Sequence, residues 1–132
     1  MHVSEFRVYY EDTDMAGIVY YANYLKFLER ARSDLVRRAG IDQLAMRDAG
    51  LAFAVARVEV SFRSPARFGE VMRVQTHLGR IGGATVAMKQ EIFVGDRSVV
   101  TADTRVICMT RDGKAARFPA DVRAALAAVD AK

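Results

Sequence analysis

The chain has 132 residues, a formal charge of +4, one cysteine and an apolar fraction of 52%. That length and composition fit one domain spanning 1–132 that buries about 68% of its unfolded surface, and they exclude a disordered chain. No apolar run reaches the ~20 residues that span a bilayer, the charged first fourteen residues do not read as a signal peptide, and a cytoplasmic protein is expected.

Residues 3–11 alternate loosely, with Phe6, Val8 and Tyr10 on one face, and predict a first strand. An acidic turn holding Glu11, Asp12 and Asp14 follows. A helix opens between Val19 and Asn23, because Tyr24, Phe27, Leu28, Ala31, Leu35 and Ala39 recur at helical spacing. Arg37 and Arg38 suit the negative end of its dipole, and Gly40 is the expected residue just past its end. Residues 41–49 predict a shorter helix closed by Gly50.

The period then changes to two. Val58, Val60 and Phe62 alternate with Arg57, Glu59 and Ser61, which predicts a strand with one buried and one wetter face. Residues 64–69 break it. Residues 71–81 and 84–94 predict two strands joined by Gly82-Gly83, both able to take positive φ, and Gly95-Asp96 turns the chain into a further strand over 98–110. A loop at 112–114 leads to Pro119, which starts an Ala-rich helix through about Val129. One strand, one long helix and a meander of strands make an α+β pattern, with the helix covering one face of an antiparallel sheet.

Several kinds of chemistry lack their residues. There is no Gly-x-Ser-x-Gly elbow, and the only histidines are His2, at an expected loose terminus, and His77 in a strand, which argues against a Ser-His-Asp hydrolase. Cys108 has no Cys or His at metal-ligand spacing, and phosphate-loop and dinucleotide fingerprints are missing, so no metal or cofactor is expected. The basic residues are dispersed, and no nucleic-acid partner is expected. Glu29 and Arg32 are spaced for an ordinary helix-surface pair.

What remains is a carboxylate beside a helix start, whose orphan N–H groups can hold a developing oxyanion. Acidic residues in such a turn also serve simply as caps, so both roles stay open at this point.

The run Thr13-Asp14-x-x-Gly17-Ile18-Val19, followed by Tyr20, Tyr21, Asn23-Tyr24 and then Glu29-x-Ala31-Arg32, resembles the signature of hotdog-fold acyl-CoA thioesterases of the 4-hydroxybenzoyl-CoA thioesterase type, including the Tol-Pal-associated (YbgC-like) branch. The order and spacing of the later elements agree with that family over nearly the whole chain. The resemblance implies a hotdog fold, a long central helix wrapped by an antiparallel sheet, and hydrolysis of an acyl or aroyl thioester to free acid and CoA.

It also implies that Asp14 is the nucleophile or general base, with the backbone N–H at about Tyr21 as the electrophilic partner. Substrate contacts are implied at Gly17, Tyr21 and Tyr24 and, from a partner subunit, around residues 55–59, Val58 and Glu59 among them. A homodimer formed by edge pairing, assembled further to a homotetramer, is implied too. Where the Tol-Pal branch commonly carries His, this chain carries Tyr21. Arg63, Arg67, Arg80, Arg97 and Arg111 are candidates for the CoA phosphates. The rival reading is a non-catalytic hotdog protein that binds acyl-CoA or a protein partner, in which Asp14 is only a cap.

Overall fold

The computed structural model describes residues 1–130, so the last two residues of the expected domain lie outside the described residues. Five strands, β1 (His2–Arg7), β2 (Leu51–Phe62), β3 (Val71–Ile81), β4 (Thr85–Val94) and β5 (Arg97–Thr110), form one antiparallel sheet in the order β1-β3-β4-β5-β2. Three helices accompany it: α1 (Tyr24–Arg38), α2 (Gln43–Asp48) and α3 (Ala120–Ala128). This is the α+β hotdog arrangement.

The apolar stripe of α1 lies against the sheet. Tyr24, Phe27, Leu28 and Ala31 share one core with Met72, Val74, Ile92, Val100 and Ala102, while Leu35 and Val36 share a second with Val86, Met88, Val106, Cys108 and Leu126. Leu28 is fully buried, which stabilises the fold by about 1.5–3 kcal/mol. The helix stops at Gly40, whose φ of 85° suits a residue without Cβ. Gly40 N–H donates to Arg37 O (3.0 Å) and Ile41 N–H to Val36 O (3.2 Å), the two bonds of a Schellman stop, and Ile41 and Val36 meet in the same core. Asp42 then caps α2 by accepting from Leu44 N–H and Ala45 N–H.

Three local expectations are corrected. The first strand ends at Arg7, because Tyr10–Asp12 form a 3₁₀ turn in which Tyr9 N–H donates to the Asp12 carboxylate (2.8 Å). Neither Gly82 nor Gly83 has a positive φ, and Gly82 N–H donates to Thr85 O, which centres that turn on Gly83-Ala84. An added Cβ at Gly83 would meet only the Arg117 guanidinium, at 3.1 Å, the far end of an exposed side chain that can move aside. Gly95, by contrast, has φ 60° in a two-residue loop between Val94 and Arg97, as expected.

The third correction concerns β2, which begins at Leu51 and bulges between Val55 and Arg57. The bulge puts Val55 opposite Val106 and then Val58, Val60 and Phe62 opposite Thr104, Ala102 and Val100, so all four side chains lie on the face of the sheet that α1 covers elsewhere. Yet Val55 is 50%, Val58 38% and Phe62 53% exposed. The expected buried face is open within this chain because α1 stands over the middle of the sheet and stops short of β2, which is also an edge strand.

Candidate functional site

The acidic turn is a small hairpin set against the start of α1. Asp14 N–H donates to Ile18 O (2.9 Å), Gly17 N–H donates to Asp14 O (3.0 Å), and Ala16 N–H donates to Asp14 Oδ1 (2.9 Å). One carboxylate oxygen of Asp14 is thereby anchored in an Asx turn, and Oδ2 has no hydrogen-bond partner among the described residues. Gly17 has φ 76° with open space around a notional Cβ. Its smallness serves the turn's left-handed backbone rather than relief of crowding.

The helix start is tied to this hairpin by Asp12. Its carbonyl accepts from Tyr20 N–H and from Asn23 Nδ2, each at 3.0 Å, which gives the motif's asparagine a structural role that its sequence position alone did not reveal. A 3₁₀ turn over Tyr21–Asn23 leads into α1. Asn23 N–H reaches back to Tyr20 O, whereas Tyr21 and Ala22 N–H have no acceptor among the described residues. They are the free donors that a helix start leaves. The bridge between Thr13 and Val19 closes the hairpin that carries Asp14 and leads on into Tyr21, and Val19 N–H is fixed in turn to Ala66 O (2.8 Å).

Aromatic rings wall this end of the molecule. Tyr21 packs edge-on against Phe62, with ring centroids 6.0 Å apart, and Tyr24 lies 5.9 Å from the same ring. Phe62 was visible in the sequence only as one more strand apolar residue. Tyr24 is buried, and its hydroxyl accepts from Ala66 N–H (3.0 Å). Burial pushes its phenol pKa up, so it stays neutral. Tyr24 therefore holds the 64–69 loop over the hairpin, with its polar end already occupied.

Val58 and Glu59 are not brought to Asp14 within this chain. A strand rise of ~3.3 Å per residue puts Val58 roughly 13 Å from Phe62 along β2. Val58 lies on the helix side of the free edge, while Glu59 lies on the opposite face and pairs with Arg57 (3.2 Å). Of the arginines considered for phosphate binding, Arg97 is committed to Glu70 and Pro65 O, and Arg111 donates to Arg47 O. Arg63, Arg67 and Arg80 are exposed.

Two further expectations change. Arg32 forms no ion pair with Glu29 among the described residues; it turns inward, and its Nη1 donates to Gln90 Oε1 (3.0 Å). Gln90, itself buried, donates through Nε2 to Leu28 O (3.0 Å) and Thr76 Oγ1 (3.1 Å). Burial lowers the pKa of Arg32, which the charge of Glu29 partly offsets. His2 is 8% exposed in β1 rather than loose: its Nε2 bonds Ser4 Oγ (3.0 Å), which donates to Asp34 Oδ2 (3.2 Å).

No helix among the described residues is long and apolar enough to cross a membrane. The sequence profile of the Thioesterase-like superfamily matches residues 8–126. The acyl-CoA thioester hydrolase YbgC of Escherichia coli O6:H1 is 35% identical over 104 residues, 78% of each chain. The acyl-CoA thioesterase YbgC of Haemophilus influenzae is 34% identical over 121 residues, 90% of this chain and 89% of that one. The crystal structure of a hypothetical protein from Thermus thermophilus superposes with a TM-score of 0.90 at 32% identity, covering 98% of this chain and 99% of the other.

Proposed function

Since the chain belongs to the thioesterase-like superfamily and, within it, to the YbgC-like hotdog acyl-CoA thioesterases, we propose that it hydrolyses an acyl or aroyl thioester of coenzyme A to the free acid and CoA. The observation that carries the mechanism is the half-anchored carboxylate of Asp14 in the hairpin that leads into a helix start whose Tyr21 and Ala22 N–H groups have no acceptor among the described residues. The thioester carbonyl sits with its oxygen toward Tyr21 and Ala22 N–H, which stabilise the charge that develops on it. Asp14 Oδ2 either takes a proton from the attacking water or attacks the carbonyl itself, giving an anhydride that water then opens. In both routes the C–S bond breaks and CoA leaves as thiolate, recovering a proton from the aspartic acid or solvent. Gly17, Tyr21 and the ring of Tyr24 form the near wall of the site.

A second copy completes the assembly. The unpaired edge of β2 and the exposed Val58 and Phe62 suit antiparallel pairing of β2 with β2 of another subunit, which carries Val58 and Glu59 toward the neighbouring site. Dimers of this kind assemble further to tetramers. One observation favours a non-catalytic reading: the Ala16 bond to Asp14 is also what a plain turn cap makes.

A panel of acyl-CoA substrates, followed with a thiol reagent, decides between them. Asp14→Asn retains the Asx turn but removes base and nucleophile, and is expected to lower kcat by at least ~10²-fold with little change in melting temperature. Full turnover by a folded Asp14→Asn protein would return Asp14 to the role of a cap.

A further inference from the structure

Along the seam between the flank of α1 and the open face of β2, Tyr21, Tyr24 and Phe62 stand at one end and a cleft of about 150 Å³ lies at the other. Apolar side chains make most of the cleft: Val36 from α1, Phe53 and Val55 from β2, Met88 from β4 and Val106 from β5. A space of that size holds about one benzene-sized group. Its one cation is Arg32, and Glu29, on the same helix wall, is its one carboxylate.

Arg32 is incompletely satisfied. A guanidinium offers five N–H donors, and the structure gives this one a single acceptor, Gln90 Oε1, with no carboxylate within ion-pair distance among the described residues. Burial disfavours the Arg32 cation, and the charge of Glu29 offsets that only in part. A second polar group, outside the lining of the cleft, also lacks a partner. Thr104, 3% exposed, lies between Val58 and Met88 on the helix side of the sheet, and its Oγ1 has no hydrogen bond among the described residues.

We propose that the cleft receives the far end of an acyl group that itself ends in a carboxylate, so that the substrates are ω-carboxyacyl thioesters of CoA and Arg32 is the residue that selects them. The methylenes lie along Val55, Phe53, Met88 and Val106, and the terminal carboxylate takes the free N–H groups of Arg32 in charge-assisted bonds. A plain alkyl end would fill the same space and leave the guanidinium uncompensated. Eight residues of helix rise separate Tyr24 from Arg32, about 12 Å, so selection acts on chains of intermediate length. The inference rests on the thioesterase reading of Asp14, and it names the substrate class of that same site.

The test compares kcat/KM for ω-carboxyacyl-CoAs of graded length, roughly six to twelve carbons to bracket that 12 Å span, with the corresponding unsubstituted acyl-CoAs. The wild-type protein is expected to favour the carboxylated member at one length. Arg32→Met is expected to lower that preference by about tenfold to a hundredfold, and Arg32→Lys by less. Glu29→Gln removes the opposing carboxylate without touching the Arg32–Gln90 bond and is expected to raise the preference, which keeps the proposal testable even if Arg32→Met does not fold. A wild-type preference for the unsubstituted chain at every length would overturn it. So would a ratio unmoved by Glu29→Gln, or an Arg32→Met protein that loses only its oligomeric state, since the cleft would then be filled by a second copy. If no thioester of either class is hydrolysed, the thioesterase reading fails. Calorimetric binding of the two CoA series to the same proteins then decides the carboxylate preference separately.

Discussion

Replacing Tyr24 by Phe tests whether one hydroxyl holds the loop that closes over the acidic hairpin. The ring and its packing against Phe62 are kept, and what disappears is the acceptor of Ala66 N–H, a 3.0 Å bond. Ala66 is 0% exposed, so water does not readily replace the lost oxygen. A buried donor left unpaired costs about 1–3 kcal/mol. With an unfolding entropy of about 2.1 cal/mol/K per residue over 132 residues, each kcal/mol lowers Tm by roughly 3.6 °C. The expected drop is therefore about 4–11 °C, read by differential scanning calorimetry. Hydrogen exchange should quicken at Ala66 and at Val19, whose N–H is fixed to Ala66 O. A Tyr24→Phe protein melting within about 1 °C of wild type, with unaltered exchange at Ala66, would refute the assignment of this hydroxyl as the loop's anchor.

Gly17→Ala meets no neighbour, so its cost is the left-handed backbone alone, about 1–2 kcal/mol, and a Tm equal to wild type in calorimetry would show that the turn rearranges freely. Val58→Glu sets a carboxylate on the helix side of the free edge of β2 and is expected to leave a folded monomer in sedimentation velocity at micromolar concentration; a dimer indistinguishable from wild type would place the interface elsewhere. Burial, assisted by the Arg38 charge, holds the His2 pKa below its ordinary value, so the unfolded chain takes up that proton first as pH falls. Stability linked to His2 is full above about pH 6.5 and declines as pH drops from there through the folded pKa. His2→Gln should remove this part of the decline in thermal melts between about pH 7.5 and 5.5, and parallel curves for the two proteins would count against it.

The elements with a clean period were legible in the sequence. The stripe from Tyr24 to Leu35 is the buried face of α1, and β3 coincides with the predicted 71–81. Where local hydrogen bonds compete with the period, the reading slipped. Val8 and Tyr10 continue the alternation of β1, but Asp12 draws the chain into a 3₁₀ turn. The bulge in β2 shifts the phase of the alternation, so that Leu51, Phe53 and Val55 share a face with Val58 and the odd-numbered stripe of the first half continues as an even-numbered one. Pairing that depends on the third dimension was not legible at all. The spacing of Glu29 and Arg32 permits a surface pair, and only the position of Gln90, 58 residues on, shows why the guanidinium points inward. In the same way, the motif marked Asp14 and Tyr21, whereas Phe62 joins their surroundings through the course of β2.

The order of the sheet also governs how the chain can fold as it is made. Its two edges, β1 and β2, are the first two strands to be synthesised, yet His2 pairs with Thr76 and Leu51 with Thr110. At a translation rate of about 5–20 residues per second, β2 waits several seconds for the strand it needs, and the apolar stripe of α1 waits with it for a sheet to lie on. The central hairpins of β3, β4 and β5 close through short turns and need nothing upstream, so they form the template onto which the earlier half of the chain then docks. Mutations that slow the Gly95-Asp96 or Gly83-Ala84 turn would thus prolong the exposure of Phe27, Leu28 and Leu35 on nascent chains. They would reduce the yield of folded protein in cells by more than their effect on the finished structure accounts for.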